Sequence, residues 1–179
     1  MSRLYEKFVK EIRPALRKTF SYKNVTQVPK LDKLVINVGM GKATQDKALL
    51  DEAVRDLSLI AGQRPVRTFS TKAVAGFKLR ENQAIGCMVT LRGKRMYEFL
   101  DRMISVALPA VKDFRGVNTR LDGRGNYTLG WKDHTLFPEV KLDDVKNTFG
   151  FDICFVTTAK SDDEGRALLT ELGMPFRKN

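Results

Sequence analysis

The sequence predicts an α+β fold: a single domain with a mainly antiparallel sheet, helices packed on one face and a long basic loop. Its 179 residues are 42% hydrophobic, which is enough for one domain with a substantial core. Segments with the two-residue period of strands and segments with the helical period interleave irregularly, as in α+β proteins. Neither an internal repeat nor a linker interrupts the chain, so we expect residues 1–179 to form one domain.

The first third of the chain predicts two helices and one strand. Apolar side chains recur every fourth residue from Leu4 to Phe20, which predicts an amphipathic helix over residues 2–20 with a kink at Pro14. Residues 30–41 alternate in polarity and end in two closely spaced glycines, which predicts a strand followed by a turn. A second apolar stripe predicts a helix from about Thr44 to Ala61.

The remaining elements follow from shorter patterns. Residues 64–69 and 84–91 predict strands on either side of an exposed loop at about 70–83. The apolar segment 94–108 predicts a helix pressed against the sheet. Turn residues dominate 114–131 and predict turns with a short strand at 127–131. A strand over 151–158 is expected to precede a last helix, which begins at a capping box formed by Ser161 and Glu164 and ends near Leu172.

Charge is the strongest indication of function. The chain carries 32 basic and 21 acidic residues, a net charge of +11, and the excess is confined to residues 1–33 and 62–95. Between Asp56 and Glu81 there is no acidic residue, whereas a solvated surface usually mixes both signs. These features predict a polyanionic partner, nucleic acid first and an anionic membrane surface second. The sequence lacks a membrane-spanning run and a signal peptide, so we expect a cytoplasmic protein.

The glycine turn at 39–41 does not match a nucleotide-binding motif. A P-loop ending there needs glycine at position 36 and Ser or Thr at position 43, where the chain has Ile36 and Ala43. A dinucleotide fingerprint that starts at Gly39 needs glycine or alanine at position 44, where the chain has Thr44. A structural turn into a helix is therefore the favoured interpretation.

Other catalytic and metal sites are equally unsupported. His134 is the single histidine, which excludes a histidine pair for a metal and leaves no basis for a catalytic triad; we expect it in a loop or at the surface. Cys87 and Cys154 lie in apolar runs, as expected of buried thiols in a reducing compartment. The sequence thus predicts a binding protein without a cofactor, a metal or enzymatic activity.

Neutral polar side chains on or beside three predicted strands are the candidate readers of RNA. Each lies close in sequence to a cation, a combination suited to bonding base edges and ribose hydroxyls beside phosphates. Ordinary solvent-facing polarity of strands remains the alternative. Phe77, inside the acid-free run, either stacks on a base or packs within its loop. The neutral candidates are Asn37, Gln63 and Thr90, and their neighbouring cations are Lys33, Arg64 and Arg92.

Several long motifs closely resemble the bacterial ribosomal protein L5 family, in the same order and over essentially the whole chain. They are VPKLDKLVINVGMG (28–41), LIAGQRPVRTFSTKAVAGFKLRENQAIGCMVTLRGKRMYEFLDR (59–102), LPAVKDFRGV (108–117), DGRGNYTLG (122–130), FPE (137–139) and TTAKSDDEGRALL (157–169).

This resemblance implies a structural constituent of the large ribosomal subunit that binds 5S rRNA and 23S rRNA in the central protuberance beside neighbouring large-subunit proteins. It further implies contact with the elbow of P-site tRNA and a bridge to a small-subunit head protein, the thirteenth of that subunit. Asn37, Gln63 and Thr90 match the family's polar positions facing 5S rRNA. The loop matched to the tRNA contact comprises Lys72, Ala73, Val74, Ala75, Gly76, Phe77, Lys78, Leu79 and Arg80.

Three alternatives remain open at this point: a free-standing RNA chaperone or regulator, an RNA-modifying enzyme, and a membrane-surface protein. An enzyme needs catalytic residues that the sequence does not offer. A membrane-surface protein needs an exposed apolar helix face, for which residues 2–20 are the candidate. We expect the stripe formed by Leu4, Phe8, Ile12 and Leu16 to belong to the core instead.

Overall fold

A five-stranded antiparallel sheet is the centre of the fold. The computed structural model of the protein describes residues 2–177. The strand order is β2-β3-β1-β5-β4. Together with the helices given below, this sheet confirms the predicted α+β class. The strands are β1 (Leu31–Gly39), β2 (Val66–Phe69), β3 (Ala84–Leu91), β4 (Tyr127–Trp131) and β5 (Phe151–Thr157).

The helices lie close to their predicted positions. Residues 3–19 form α1 (Arg3–Lys7), a π-helical turn (Phe8–Ile12) and α2 (Arg13–Thr19). Next come α3 (Lys47–Ala61) and α4 (Gly93–Arg102), which continues into a second π-helical turn (Met103–Ala107). The last helix is α5 (Asp162–Glu171), where the side chain of Ser161 accepts a hydrogen bond from the Glu164 N–H as predicted. The reciprocal half of the predicted capping box differs, because the Glu164 carboxylate accepts the N–H of Lys160 and not that of Ser161.

The N-terminal helical segment continues through Pro14, where the sequence predicts a kink, because its hydrogen-bond pattern changes in the preceding turn. The Arg13 N–H donates to the Phe8 carbonyl five residues earlier. Proline lacks an N–H and its ring crowds the carbonyl four residues before it, so a wider preceding turn lets the helix continue to Thr19.

Burial alternates along the two strands that matter most for function. In β1 the side chains of Leu34, Ile36 and Val38 are fully buried, whereas Asn37 is half-buried. In β3 the odd-numbered residues from Cys87 to Leu91 are buried, whereas Met88 and Thr90 are more exposed. Side chains two residues apart share a face, so each strand has one core side and one open side.

Two compact units make up the chain by contact density. The first contains residues 2–34, 91–129 and 154–177, and the second contains residues 35–90 and 130–153. In the first unit, the ring of Tyr97 lies 5.2 Å from that of Tyr5 and 6.1 Å from that of Phe8. In the second unit, Trp131, Phe137 and Phe151 form an aromatic cluster. That the whole chain is one domain stays a prediction.

The apolar stripe of the N-terminal segment is core. Leu4, Phe8, Ile12 and Leu16 are between 0% and 7% exposed. Because the stripe is buried, it is not available to a membrane surface, which confirms the prediction made from its spacing. Within residues 2–177, no helix is both long and apolar enough to cross a bilayer.

Candidate nucleic-acid interface

The three neutral residues predicted to read RNA all belong to the second unit. Gly62 adopts a left-handed conformation (φ 64°) that ends α3, and Gln63 follows it. The Gln63 Nε2 donates to the Thr90 carbonyl at 3.3 Å, so this amide is tied to β3. Asn37 and Thr90 are half-buried, and their side chains form no hydrogen bond with another residue in the described part of the chain. Their polar groups are therefore available to a partner.

An apolar cross-strand pair lies next to these polar groups, and the sequence reasoning did not single it out. Val66 of β2 is paired with Met88 of β3, and the two side chains are 68% and 37% exposed. Met88 shares its side of β3 with Thr90. The alternation of side chains along the strands could have identified this pair, since Val66 and Met88 both fall on the side of the sheet that carries the polar groups. An exposed apolar pair beside hydrogen-bonding groups suits the sugars and bases of RNA.

The predicted cations differ in what they contact. In the second unit, Arg64 is exposed and forms no ion pair within the described residues. In the first unit, Lys33 is half-buried on β1, whereas the Arg92 Nη1 lies 3.1 Å from the Asp32 Oδ2. Arg67, from the acid-free run, is paired with Asp51 of α3. Arg64 and Lys33 are therefore freer to meet phosphate than Arg92 or Arg67.

The basic loop is a short hairpin. Val74 and Leu79 exchange two backbone hydrogen bonds of 3.0 Å and 3.1 Å. Between them, Ala75–Phe77 form a 3₁₀ turn, and Lys78 adopts a left-handed conformation (φ 52°) that reverses the chain. The predicted long loop thus has a defined tip.

Side chains close the loop at its base. The buried Ser70 Oγ donates to the Arg80 carbonyl and accepts from the Gln83 N–H at 3.2 Å. The Gln83 Nε2 in turn donates to the Thr44 carbonyl at 3.0 Å. These bonds hold the loop to the turn that follows β1. Sequence reasoning missed the role of Ser70 and Gln83 because it depends on contacts between distant residues.

The loop presents both charge and an aromatic ring to solvent. Lys72, Lys78 and Arg80 are exposed, and none forms an ion pair within residues 2–177. The ring of Phe77 is 75% exposed, so most of its surface is free to stack on a base. Ala73, Val74, Ala75 and Gly76 are exposed as well.

His134 lies in the connection between β4 and β5, as the loop alternative predicts, but it is buried, so the surface alternative is wrong. It lies in a 3₁₀ turn, 0% exposed, with its ring stacked 3.9 Å from that of Phe149. The Phe149 N–H donates to its Nδ1, and its Nε2 lies 3.5 Å from the Oδ2 of the buried Asp56. Burial lowers the pKa of His134, although the charges of Asp56 and Asp133 oppose this shift. The pair links α3 to the 134–149 segment and is closed to a substrate.

The thiols follow the prediction in part. Cys87 is buried, and burial raises its pKa to about 11. Cys154 is half-buried and accepts a hydrogen bond from the Thr128 hydroxyl at 3.6 Å. Both are free, and the described residues contain no group of three acids, cysteines or histidines placed to hold a metal.

Comparison with known proteins supplies the identity. A model of the C-terminus of the ribosomal L5 family matches residues 84–176, and a ribosomal protein L5 model matches residues 24–80. The chain belongs to the ribosomal protein L5 family. Three relatives named large ribosomal subunit protein uL5 agree. That of Solibacter usitatus is 60% identical over 99% of both chains. Those of Syntrophomonas wolfei and Clostridium botulinum are each 55% identical, over 99% and 98% of this chain and 100% and 99% of theirs.

Membership in the L5 family decides between the function classes left open by the sequence. The chain is a structural constituent of the large ribosomal subunit with RNA-binding and translation roles, and it is not an enzyme. It is a ribosomal component of the cytoplasm. These conclusions confirm the resemblance stated from the motifs.

Proposed function

We propose that the open side of β1 and β3 in the second unit binds 5S rRNA. The observation that carries this proposal is the row of available polar groups at Asn37 and Thr90 beside the exposed Val66–Met88 pair. Amide and hydroxyl groups can bond base edges and ribose hydroxyls, whereas the apolar pair covers the less polar faces of sugar and base. Gln63 supports this surface through its bond to β3.

Cations complete the proposed 5S rRNA contact. Arg64 contributes a phosphate contact in the second unit, and Lys33 contributes one from β1 in the first. Arg92 contributes less in our proposal, since Asp32 already neutralises part of its charge. Phosphate contacts supply affinity and orientation, and the neutral groups supply discrimination.

Removing the neutral groups tests the sheet-face assignment. We expect Asn37→Ala and Thr90→Val each to cost about 1–3 kcal/mol of 5S rRNA binding, because partner groups on the RNA lose a hydrogen bond. Gln63→Ala is expected to weaken binding similarly by releasing the bond to β3. Arg67→Ala is the control, since that side chain is engaged by Asp51. Filter-binding titrations measure the effect, and unchanged affinity in Asn37→Ala and Thr90→Val disproves the assignment.

We propose a second role for the loop: contact with the elbow of P-site tRNA through Lys72, Phe77, Lys78 and Arg80. The support is the charge of Lys72, Lys78 and Arg80, none of which forms an ion pair within the described residues, and the exposed ring of Phe77. Small residues at 73–76 let the backbone approach a partner closely. Contacts with 23S rRNA and with the thirteenth small-subunit protein rest on the family resemblance, and we assign no residues to them.

The two roles are separable by mutation. The double variant Lys78→Ala, Arg80→Ala is expected to leave 5S rRNA binding nearly unchanged and to lower P-site tRNA occupancy of ribosomes that contain it. The Arg80 carbonyl and N–H make the contacts at the loop base, so the loop keeps its shape when this side chain is removed. An equal loss of both activities contradicts this division.

A further inference from the structure

A cavity in the first unit belongs to neither surface described above. The N-terminal helical segment ends at Thr19, the chain reverses at Ser21 in a left-handed conformation (φ 53°), and it returns beside the helix as far as Val25. Between the two stretches lies a cavity of about 600 Å³, a volume within the range of small-ligand sites. It is lined by Val9, Arg13, Pro14, Arg17, Lys18, Ser21, Tyr22 and Val25.

Three cations line the cavity, and one carboxylate, that of Glu164 in α5, interacts with the hydroxyl of the lining Tyr22. No acidic residue is among its lining side chains, and within the described residues Arg13, Arg17 and Lys18 form no ion pair. Three cations against one carboxylate leave an excess of positive charge, which attracts an anion. These residues lie in the basic segment 1–33, which has no assigned contact so far apart from Lys33.

Both guanidinium groups are held in place by backbone carbonyls. The Arg17 Nε and Nη2 donate to the carbonyls of Tyr22 and Lys23 at 3.3 Å and 3.2 Å. The Arg13 Nη2 donates to the Val25 carbonyl at 3.3 Å. Each arginine has five N–H donors, so donors remain for an anion on groups whose orientation is already fixed.

The rest of the lining is apolar and open to solvent. Val9 and Val25 are each 41% exposed, and Pro14 is exposed between them. A phosphate alone does not need such a surface, whereas a ribose and base do. Arginine guanidinium planes also stack on bases, which distinguishes a nucleotide from a lipid anion.

We propose that this cavity binds one nucleoside monophosphate unit, with its phosphate on Arg13, Arg17 and Lys18 and its sugar and base on Val9, Pro14 and Val25. The unit comes either from an unpaired residue of RNA or from a free mononucleotide. The site is independent of the proposed sheet and loop contacts, since none of its residues belongs to either.

The test compares ligands that share parts of this chemistry. Binding of AMP, adenosine, inorganic phosphate and a single-stranded RNA trinucleotide to the full chain is followed by NMR shifts of the amides at 9–25. We expect AMP to bind at least about tenfold more tightly than adenosine or phosphate, because only AMP occupies both parts of the site. Tighter binding of the trinucleotide identifies RNA as the source, and equal binding identifies a free mononucleotide. Phosphate binding as tightly as AMP disproves the site.

Variants distinguish specific binding in this cavity from nonspecific attraction of AMP to the basic residues of the protein. Val9→Glu places a negative charge in the apolar lining at an exposed helix position, and Lys18→Ala removes a cation without touching the turn. Each is expected to weaken AMP binding about tenfold or more. Lys10→Ala is the matched control, since this exposed cation of the same helical segment does not line the cavity. An equal loss in Lys10→Ala, or displacement of AMP by a fatty acid, overturns the proposal, whereas Asn37→Ala is expected to leave AMP binding unchanged.

Discussion

Two glycines meet in the first unit where the 122–126 turn packs against the start of α5. A Cβ atom on Gly165 would lie 2.7 Å from the Gly125 Cα and in conflict with its carbonyl oxygen. That oxygen already accepts the Thr157 hydroxyl at 2.8 Å, and the Gly125 N–H donates to Asp162 at 2.9 Å. The Gly125 backbone is therefore held from two sides and cannot move away at low cost.

We predict that Gly165→Ala destabilises the protein by about 1–3 kcal/mol, the usual cost of overpacking. At an exposed helix position the same change stabilises a protein by up to about 1 kcal/mol. A destabilising effect here would therefore indicate that Gly165 lies in close contact with Gly125. Urea unfolding midpoints measure it. Gly39→Ala is the control because a Cβ there meets nothing within 4 Å. A stabilising Gly165→Ala contradicts the packing described.

The buried His134 predicts a pH dependence of stability. Its pKa is lowered by burial, so the folded protein holds it neutral at a pH where the unfolded chain, with a pKa near 6.5, binds a proton. Unfolding then takes up a proton, and stability falls as pH decreases below about 6.5, by at most about 1.4 kcal/mol per pH unit. We expect urea unfolding between pH 7 and pH 5 to show this slope. His134→Asn is expected to flatten it, and an unchanged slope in that variant contradicts the assignment.

At the scale of elements, the basic loop depends on its closed base. Ser70→Ala leaves the Arg80 carbonyl and the Gln83 N–H without their side-chain partner. We expect the amides of Val74 and Leu79 to exchange with solvent at least about fivefold faster, since a lost buried bond costs about 1 kcal/mol or more. Hydrogen exchange followed by NMR measures this change. Thr71→Ala, an exposed neighbour, is the control, and equal exchange rates in Ser70→Ala and the wild type disprove the closure.

Local patterns predicted the elements well because they reflect which side chains face the core. The alternation in β1 and the stripe of the N-terminal segment both correspond to buried residues in the structure. The π-helical turn before Pro14 was not predictable from periodicity, since it shifts hydrogen bonds while leaving the stripe intact. The burial of Asp56 and His134 was missed because it depends on distant residues: His134 accepts the Phe149 N–H and lies 3.5 Å from Asp56, and such long-range contacts leave no local pattern.

The candidate site shows the same limit. Neutral strand residues beside cations were found from sequence because strand position and charge are local properties. The contacts that these side chains make within the protein could not be predicted from the sequence. Gln63 is bonded to β3, Arg92 is paired with Asp32, and Arg67 is paired with Asp51. Charge along the chain therefore overestimates the charge that is free to bind. Among the described residues, Arg64 and the loop cations Lys72, Lys78 and Arg80 are the basic residues of the 62–90 segment that form no ion pair.

At the scale of the whole molecule, binding through the net charge of +11 and recognition of 5S rRNA by the sheet predict different dependences on salt. Phosphate contacts release counterions, so affinity for any structured RNA is expected to fall steeply between about 50 and 200 mM salt. Hydrogen bonds to base edges and ribose are less sensitive to salt, so the preference for 5S rRNA over an unrelated RNA of equal length is expected to persist at the high-salt end.

A variant that removes a neutral polar group and a variant that removes a cation are expected to behave differently in the same salt titration. Asn37→Ala is expected to reduce the preference for 5S rRNA and leave the slope of log affinity against log salt unchanged, because it removes no charge. Arg64→Ala is expected to weaken binding to both RNAs and lower the slope by about 1, because it removes one phosphate contact. If wild-type binding to both RNAs is equal and disappears together with rising salt, the surface provides charge alone and the sheet does not read 5S rRNA.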